Sequence, residues 1–179
     1  MSKILIGGLI CAVLLIPVAT CINCNNTTIS YEEQIESATS FIDTSTQRRH
    51  DGIMQLVQVV ERFAKHETSI TDKVTDARKK ASDGHVDEAL AAINVIKEAY
   101  PTLATESQFA HLSNEISSME NQIKRARDNR NEFIREYNRY VKIFPNRFFL
   151  IVMGYEKKNY KYFEAKEEHK GPMTSMFSK

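Results

Sequence analysis

His66-Glu67 begins like the H-E-x-x-H of zinc proteases, in which two imidazoles one helical turn apart hold the metal while the carboxylate serves as base. Residue 70 is Ile, so the second ligand is missing. Cys21 and Cys24 form a C-x-x-C, but a redox pair calls for a βαβ setting and a zinc site for two further ligands; the remaining cysteine is Cys11, inside an apolar stretch. Histidines 50, 66, 85, 111 and 169 are scattered. The Glu-x-x-His pairs of carboxylate-bridged di-iron bundles do not occur, nor does a Gly-rich phosphate loop or a G-x-S-x-G. The expectation is a protein that is not an enzyme, with no cofactor, no metal and no small-molecule substrate.

The elements that carry these residues fall into three segments: residues 1–28, residues 29–170 and a short tail, 171–179. After Lys3 no charge occurs until Glu32, and ILIGGLICAVLLIPVATCI, residues 4–22, is almost wholly apolar. As a helix it rises about 28 Å, close to the roughly 30 Å hydrocarbon core of a bilayer. Three readings fit residues 1–28. They are a retained single-pass anchor, a cleaved signal, or a lipoprotein signal in which Val18-Ala19-Thr20-Cys21 presents Cys21 for lipidation. Lys3 before the stretch and no further basic residue until Arg48 and Arg49 place the N-terminus inside and the body outside the cytoplasm.

The body reads as all-α. Six Gly, four Pro and no Trp accompany long runs of residues that lose little on entering a helix. Ser30-Tyr31-Glu32-Glu33 has the form of a capping box, from which Ile35, Ala38, Ile42, Ser45, Arg49, Gly52, Leu56, Val59, Phe63 and His66 follow steps of three and four, widened by Ile53, Val57, Val60 and Ala64. Residues 64–72 either bend or continue this helix. Val74, Ala77 and Ala81 lie on a further helix that ends at Asp83-Gly84, and a short one over 86–100 stops before Pro101. Thr105-Glu106-Ser107-Gln108 reads as a second capping box. Behind it Phe109, Leu112, Ile116, Met119, Ile123, Ala126, Arg130, Phe133, Tyr137 and Tyr140 keep the alternation for about thirty residues. This predicts an antiparallel up-and-down bundle of about four helices, two of them long, with an N-terminal membrane segment.

Residues 124–149 hold eight Lys or Arg, yet Asp128, Glu132 and Glu136 are interspersed and the aromatics fall in core slots. A nucleic-acid surface would keep bases unmixed and place aromatics beside them, and the net charge of +1 supplies no overall field for a polyanion. No nucleic-acid partner is expected. Arg49 and Arg130 occupy slots that should be apolar. Either their stems pack inward with the guanidinium at the edge, or they enter a buried network with Asp43, Asp51, Glu115 or Glu120, because an unpaired interior charge costs several kcal/mol, on the order of 3–5. The six apolar residues Phe148 to Met153 are too few to span a bilayer; they either cap the open end of the bundle or form a patch for a partner or a membrane surface.

Particular residues carry a family likeness. Asn26, Glu33, Ile35, Ala38, Ser40-Phe41-Ile42-Asp43, Gln47-Arg48-Arg49-His50-Asp51, Leu56-Val57 and Ala64-Lys65-His66-Glu67 are followed by Ala99-Tyr100-Pro101-x-Leu103, Glu115-Ile116, Glu120-Asn121-Gln122-Ile123, Tyr137-Asn138, Phe144-Pro145, Gly154 and Tyr162-Phe163-Glu164-Ala165. In this order they resemble the LemA family over nearly the whole chain. The resemblance implies a bacterial cell-envelope or membrane protein with an N-terminal membrane segment and a helical bundle. A membrane-tethered interaction or scaffold module is then the expected role, with a protein partner; the alternative is an accessory subunit of a membrane protease or other envelope enzyme. Thr39 stands where the family usually has Trp, and Gly52, Met54 and Gln55 replace Leu, Pro and Asn, so the long helix should run straighter there.

Overall fold

A computed structural model of the chain describes residues 2–65 and 70–164, with side chains from residue 15 onward. The described residues are all-α, with six helices: α1 (Ser2–Ala64), α2 (Thr71–Ser82), α3 (Val86–Ala99), α4 (Pro101–Thr105), α5 (Ser107–Tyr140) and α6 (Asn146–Val152). The two expected long helices are α1, of 63 residues, and α5, of 34. The count exceeds four because Pro101 opens a separate turn, α4, and because the apolar run after Pro145 is itself helical. Of residues 64–72, left open between bending and continuing the first helix, Ala64 ends α1 and Thr71 begins α2, while 66–69, His66-Glu67 included, lie outside the described residues, as does the tail 171–179. So do the side chains of residues 2–14, Cys11 included.

The Ser30 capping box does not start a helix. α1 already runs through it, and through Pro17, from Ser2. Upstream hydroxyls turn back into the helix instead of breaking it: Thr20 Oγ1 donates to the Ile16 carbonyl at 2.8 Å, and the buried Thr28 Oγ1 to the Cys24 carbonyl at 2.8 Å. Ser30 Oγ then accepts from Gln34 Nε2 at 3.3 Å. At the second box the cap is one residue later than the motif suggests. The Glu106 carboxylate accepts from the Gln108 and Phe109 amides at 2.9 and 3.1 Å, satisfying first-turn donors with a charge that suits the positive end of the helix dipole. Thr105 Oγ1 donates elsewhere, to the Thr102 carbonyl.

The chain forms two compact units, Thr39–Ala126 and Met1–Ala38 with Arg127–Lys179, where the sequence reads as one bundle over 29–170. In the Thr39–Ala126 unit the core is aliphatic: Ile53, Leu56, Val57, Val60, Ile70, Ala81, Ala89, Ile93, Ile96 and Leu103 are all buried, and Phe109 and Ile116 of α5 join them. Val74, Ala77 and Ala81 are the buried face of α2, as their spacing predicts. After Ser82, Gly84 takes φ +83°, and the His85 amide reaches the Lys80 carbonyl while the Gly84 amide reaches Ala81. This paired closure needs the left-handed residue that glycine supplies without steric cost. Along α1 and α5 the contacts run in reverse order, Arg62 lining a groove with Gln108 and His111 while Arg49 meets Glu120. α1 passes Gly52 to Gln55 unbroken.

The other unit has an aromatic core. Ile35 and Cys24 of α1, Ile134 and Tyr137 of α5, Val141, and Leu150 of α6 are buried, with Tyr31, Phe133, Phe149, Tyr155 and Tyr160 packed on them. Ile134, fully buried, takes the slot the periodicity assigned to Phe133, which is half-buried. A second glycine closure follows α6. Gly154 takes φ +70°, and the amides of Gly154 and Tyr155 return to the Ile151 and Leu150 carbonyls. It reverses the chain into a segment without regular structure, residues 155–164. α5 clips that segment down: Asn131 exchanges two 2.9 Å bonds with the Phe163 backbone, and Arg130 Nη1 donates to the Lys161 carbonyl at 2.9 Å.

Among the described residues no helix is long and apolar enough to cross a membrane. The larger part of the 4–22 stretch has side chains outside the description.

Candidate functional site

The four residues singled out for a polar network do not converge. Arg49 and Glu120 meet in the Thr39–Ala126 unit: the guanidinium donates through Nε and Nη2 to Glu120 Oε1 at 3.2 and 2.8 Å, and Nη2 also reaches Asp87 Oδ1 at 2.6 Å. Its side chain is 14% exposed, whereas Asp87 and Glu120 are 71% and 44% exposed, so the stem is interior and the charged head meets its partners at the rim. Burial works against the Arg49 charge, but the hydrogen bonds and charges of Asp87 and Glu120 outweigh it and hold the group above its usual value. Asp87 was not among the expected partners. Its only signal in the sequence is that an acid sits in the first turn of α3, where any helix favours one.

Glu115 lies apart from this cluster. It is half exposed and pairs with His111 at 3.8 Å. Asp51 accepts from Gln47 Nε2 at 2.9 Å and also lies 3.4 Å from His50 Nδ1. Arg130 belongs to the other unit, where it holds the Lys161 carbonyl and lies 4.9 Å from the centroid of the Phe163 ring, with Arg127 at 5.4 Å from the same ring. Cys21 is a half-exposed free thiol on α1, while Cys24 is buried with its Sγ 3.5 Å from Asn146 Oδ1. The C-x-x-C pair is thus split between a helix surface and a core. Among the described residues no three His, Cys, Asp or Glu side chains group to hold a metal ion.

The most connected polar cluster was not legible in any motif. Glu32, 13% exposed, accepts a very short hydrogen bond from the Tyr155 hydroxyl and, at 2.8 Å, an ion-pair bond from Lys158 Nζ. The Tyr155 and Tyr137 hydroxyls are 2.6 Å apart, and Tyr137 Oη accepts from the Lys158 amide at 2.8 Å. Burial, then the bonds to Glu32 and Tyr137, push the Tyr155 phenol far above the ordinary tyrosine range. Burial and the Glu32 charge also raise Tyr160, whose ring meets that of Tyr137 edge-on at 5.4 Å. Chemically the cluster is a carboxylate wrapped in protonated donors. It ties α1, α5 and the 155–164 segment together, and the raised phenols of Tyr155 and Tyr160 are held in the neutral form.

Among the described residues a groove and an apolar run are open to solvent. A groove of about 710 Å³ in the Thr39–Ala126 unit is lined by Gln58, Val59 and Arg62 of α1 and by Gln108, His111 and Leu112 of α5. In the other unit the apolar run after Pro145 is mostly uncovered. Leu150 is buried, but Phe148, Ile151, Val152 and Met153 are exposed at 57, 63, 66 and 43%, and Phe144 just before them at 81%. Only part of this run caps a core. The other part is the patch that the sequence left as its alternative.

The LemA family model matches residues 38–176, and no curated protein matches the chain. The matched span takes in the Arg49 cluster, α6 and most of the tyrosine cluster, while Glu32 precedes it. With more than half of its length matched and an all-helical body, the chain belongs to the LemA family.

Proposed function

We propose that this chain is a membrane-tethered helical module of the bacterial cell envelope that works by binding a neighbouring protein, not by catalysis. The apolar stretch 4–22 is its single-pass tether, and the body, packed as an up-and-down bundle, lies outside the cytoplasm. The observation that carries this reading is the continuity of α1. The helix runs from Ser2, through Pro17, into Cys24, Thr28, Tyr31 and Ile35, which build or pack against the aromatic core. Between Pro17 and the aromatic core α1 holds no further proline, so this segment is stiff and sets the height of the body above the bilayer, because bending a helix sharply requires a break in its hydrogen-bond ladder. That arrangement suits a protein whose task is to present a surface at a set distance from the bilayer.

Photo-crosslinking in intact cells from Gln58 and His111, on the groove of the Thr39–Ala126 unit, tests it. One defined neighbour, crosslinked from both positions and lost when Leu112 is replaced by Glu, is the expected result. Diffuse products from either position would end the reading. The intact mass of the membrane-extracted protein separates the modes of attachment: an unprocessed N-terminus supports the span, and a chain starting at a diacylglyceryl Cys21 replaces it with a lipid anchor.

A further inference from the structure

The face of α6 that turns away from the core is apolar and exposed. Along α6, Phe149 and Leu150 turn to the core, while Phe148, Ile151 and Val152 follow the i, i+3, i+4 spacing of a helix stripe and are left outward. Ile143 and Phe144 extend the stripe before the helix, and Met153 after it, all exposed. Contiguous apolar surface of this kind marks a binding face.

What covers it follows from its position and its charge. The start of α6 is fastened to α1 by the 3.5 Å contact between Asn146 Oδ1 and Cys24 Sγ. Cys24 is two residues beyond the end of the 4–22 stretch, a rise of about 3 Å along the helix. A bilayer that holds residues 4–22 therefore brings its headgroup layer to the level of α6. N-terminal to Cys24, α1 exposes the apolar side chains of Leu15, Ile16, Val18 and Ile22. The segment that carries the stripe is itself mostly basic: residues 139–161 include Arg139, Lys142, Arg147, Lys157, Lys158 and Lys161 against the single acid Glu156, and of these Lys158 is paired with Glu32 of α1. Next to the stripe, a recess of about 440 Å³ has Val141, Leu150 and Ile151 in its wall and Lys142, Arg147 and Lys157 around it. An apolar face flanked by cations is the pattern of an element lying in the headgroup region of an anionic membrane.

We propose that α6 with Ile143 and Phe144 docks on the acidic lipid surface, its apolar stripe entering the acyl boundary while Lys142, Arg147 and Lys157 hold headgroup phosphates. This rests on the tether reading for its geometry, but it makes a separate claim. The tether alone fixes height, and a second contact also fixes rotation of the body about the α1 axis. The lipid it takes is defined by charge, since the cations match a phosphodiester headgroup that carries no compensating ammonium.

The absence of Trp from the chain allows a direct test. Full-length protein carrying Ile151→Trp is reconstituted into vesicles of phosphatidylcholine and phosphatidylglycerol whose chains are brominated near their middle, and into the same lipids unbrominated. Phe148→Trp provides a second probe on the same face, and Val95→Trp, exposed on α3, a reference in the other unit. The expected result is blue-shifted emission quenched by bromine from positions 151 and 148 but not from 95. Replacing Lys142 and Arg147 by Gln should lower the docked fraction about fivefold per residue, as should the omission of phosphatidylglycerol in part. Protein that floats with the vesicles yet shows no quenching at 151 and 148 overturns the inference and leaves the tether standing. Blue-shifted but unquenched emission also overturns it, by assigning the face to a protein partner or a second copy. Failure to float at all removes the tether and this inference together.

Discussion

The Thr39–Ala126 unit and the unit formed by Met1–Ala38 with Arg127–Lys179 solve the same packing problem with different chemistry. The first is filled with Ile, Leu, Val and Ala, and its one conspicuous charge cluster, Arg49 with Asp87 and Glu120, sits at the rim. The second buries fewer aliphatic residues and closes around Tyr137, with Glu32, Tyr155 and Lys158 joined through hydroxyl and carboxylate bonds. An aliphatic core is stabilised by area and tolerates small shifts, whereas a hydrogen-bonded cluster holds only when every partner is in place. The contrast teaches where each unit is vulnerable, the first to lost volume and the second to a lost proton or charge.

Leu56→Ala should have the largest effect. The side chain is 0% exposed, and its truncation is expected to cost about 2–5 kcal/mol, read as a fall in the urea midpoint. Ile134→Ala, equally buried in the aromatic unit, should cost as much if that unit also depends on volume; a loss below about 1 kcal/mol there would shift the weight to its polar cluster. Glu32→Gln tests the cluster itself. It keeps the shape but removes the charge that Tyr155 and Lys158 bind, and about 1.5–3 kcal/mol should be lost, with non-additivity when it is combined with Tyr155→Phe.

The same phenol predicts a pH dependence. Its folded pKa lies above the value of about 10 in an unfolded chain. The stability it confers is therefore complete below pH about 10 and is lost as the pH rises from there toward the folded value, since the unfolded state releases its proton first. Urea midpoints measured from neutral pH into this alkaline range should decline, and Tyr155→Phe should flatten the decline while substitutions in the aliphatic unit leave its slope unchanged.

Two smaller effects separate packing from charge in the Thr39–Ala126 unit. A Cβ added at Gly52 meets Ile116 Cγ1 at 3.4 Å, an ordinary contact, so Gly52→Ala should stabilise α1 by up to about 1 kcal/mol and raise the urea midpoint. Asp87→Asn should cost no more than about 0.5 kcal/mol, because the carboxylate is largely exposed, and the cost should vanish in concentrated salt.

The residues that alternate by three and four on α1 show how much of this was legible. Ile35, Ile42, Ser45, Gly52, Leu56 and Val59 are all buried where their spacing puts them, and so are Phe109, Ile116, Ile123 and Ala126 on α5. Arg49 stood out because it interrupted that spacing, and Glu120 was among its named partners. Asp87 was not, because 38 residues of chain separate it from Arg49. The capping signatures were weaker guides. Ser30 reads as a start only if nothing helical precedes it, and the uncharged residues before it continued the helix instead. The Glu32 cluster was hidden for a different reason: Glu32 lies 123 and 126 residues from Tyr155 and Lys158, and they share no repeat or motif.

Composition and periodicity by themselves determined an all-helical body, its two long rods and the inward faces of those rods, because helix formation and apolar burial are governed by neighbours within a turn or two; the family came from the likeness of particular residues in their order. Which carboxylate meets Arg49, how Tyr155 returns to Glu32, and which side of α6 stays uncovered were decided only by the tertiary structure. Those outcomes depend on where distant segments end after packing, and a short-range pattern carries no record of that distance.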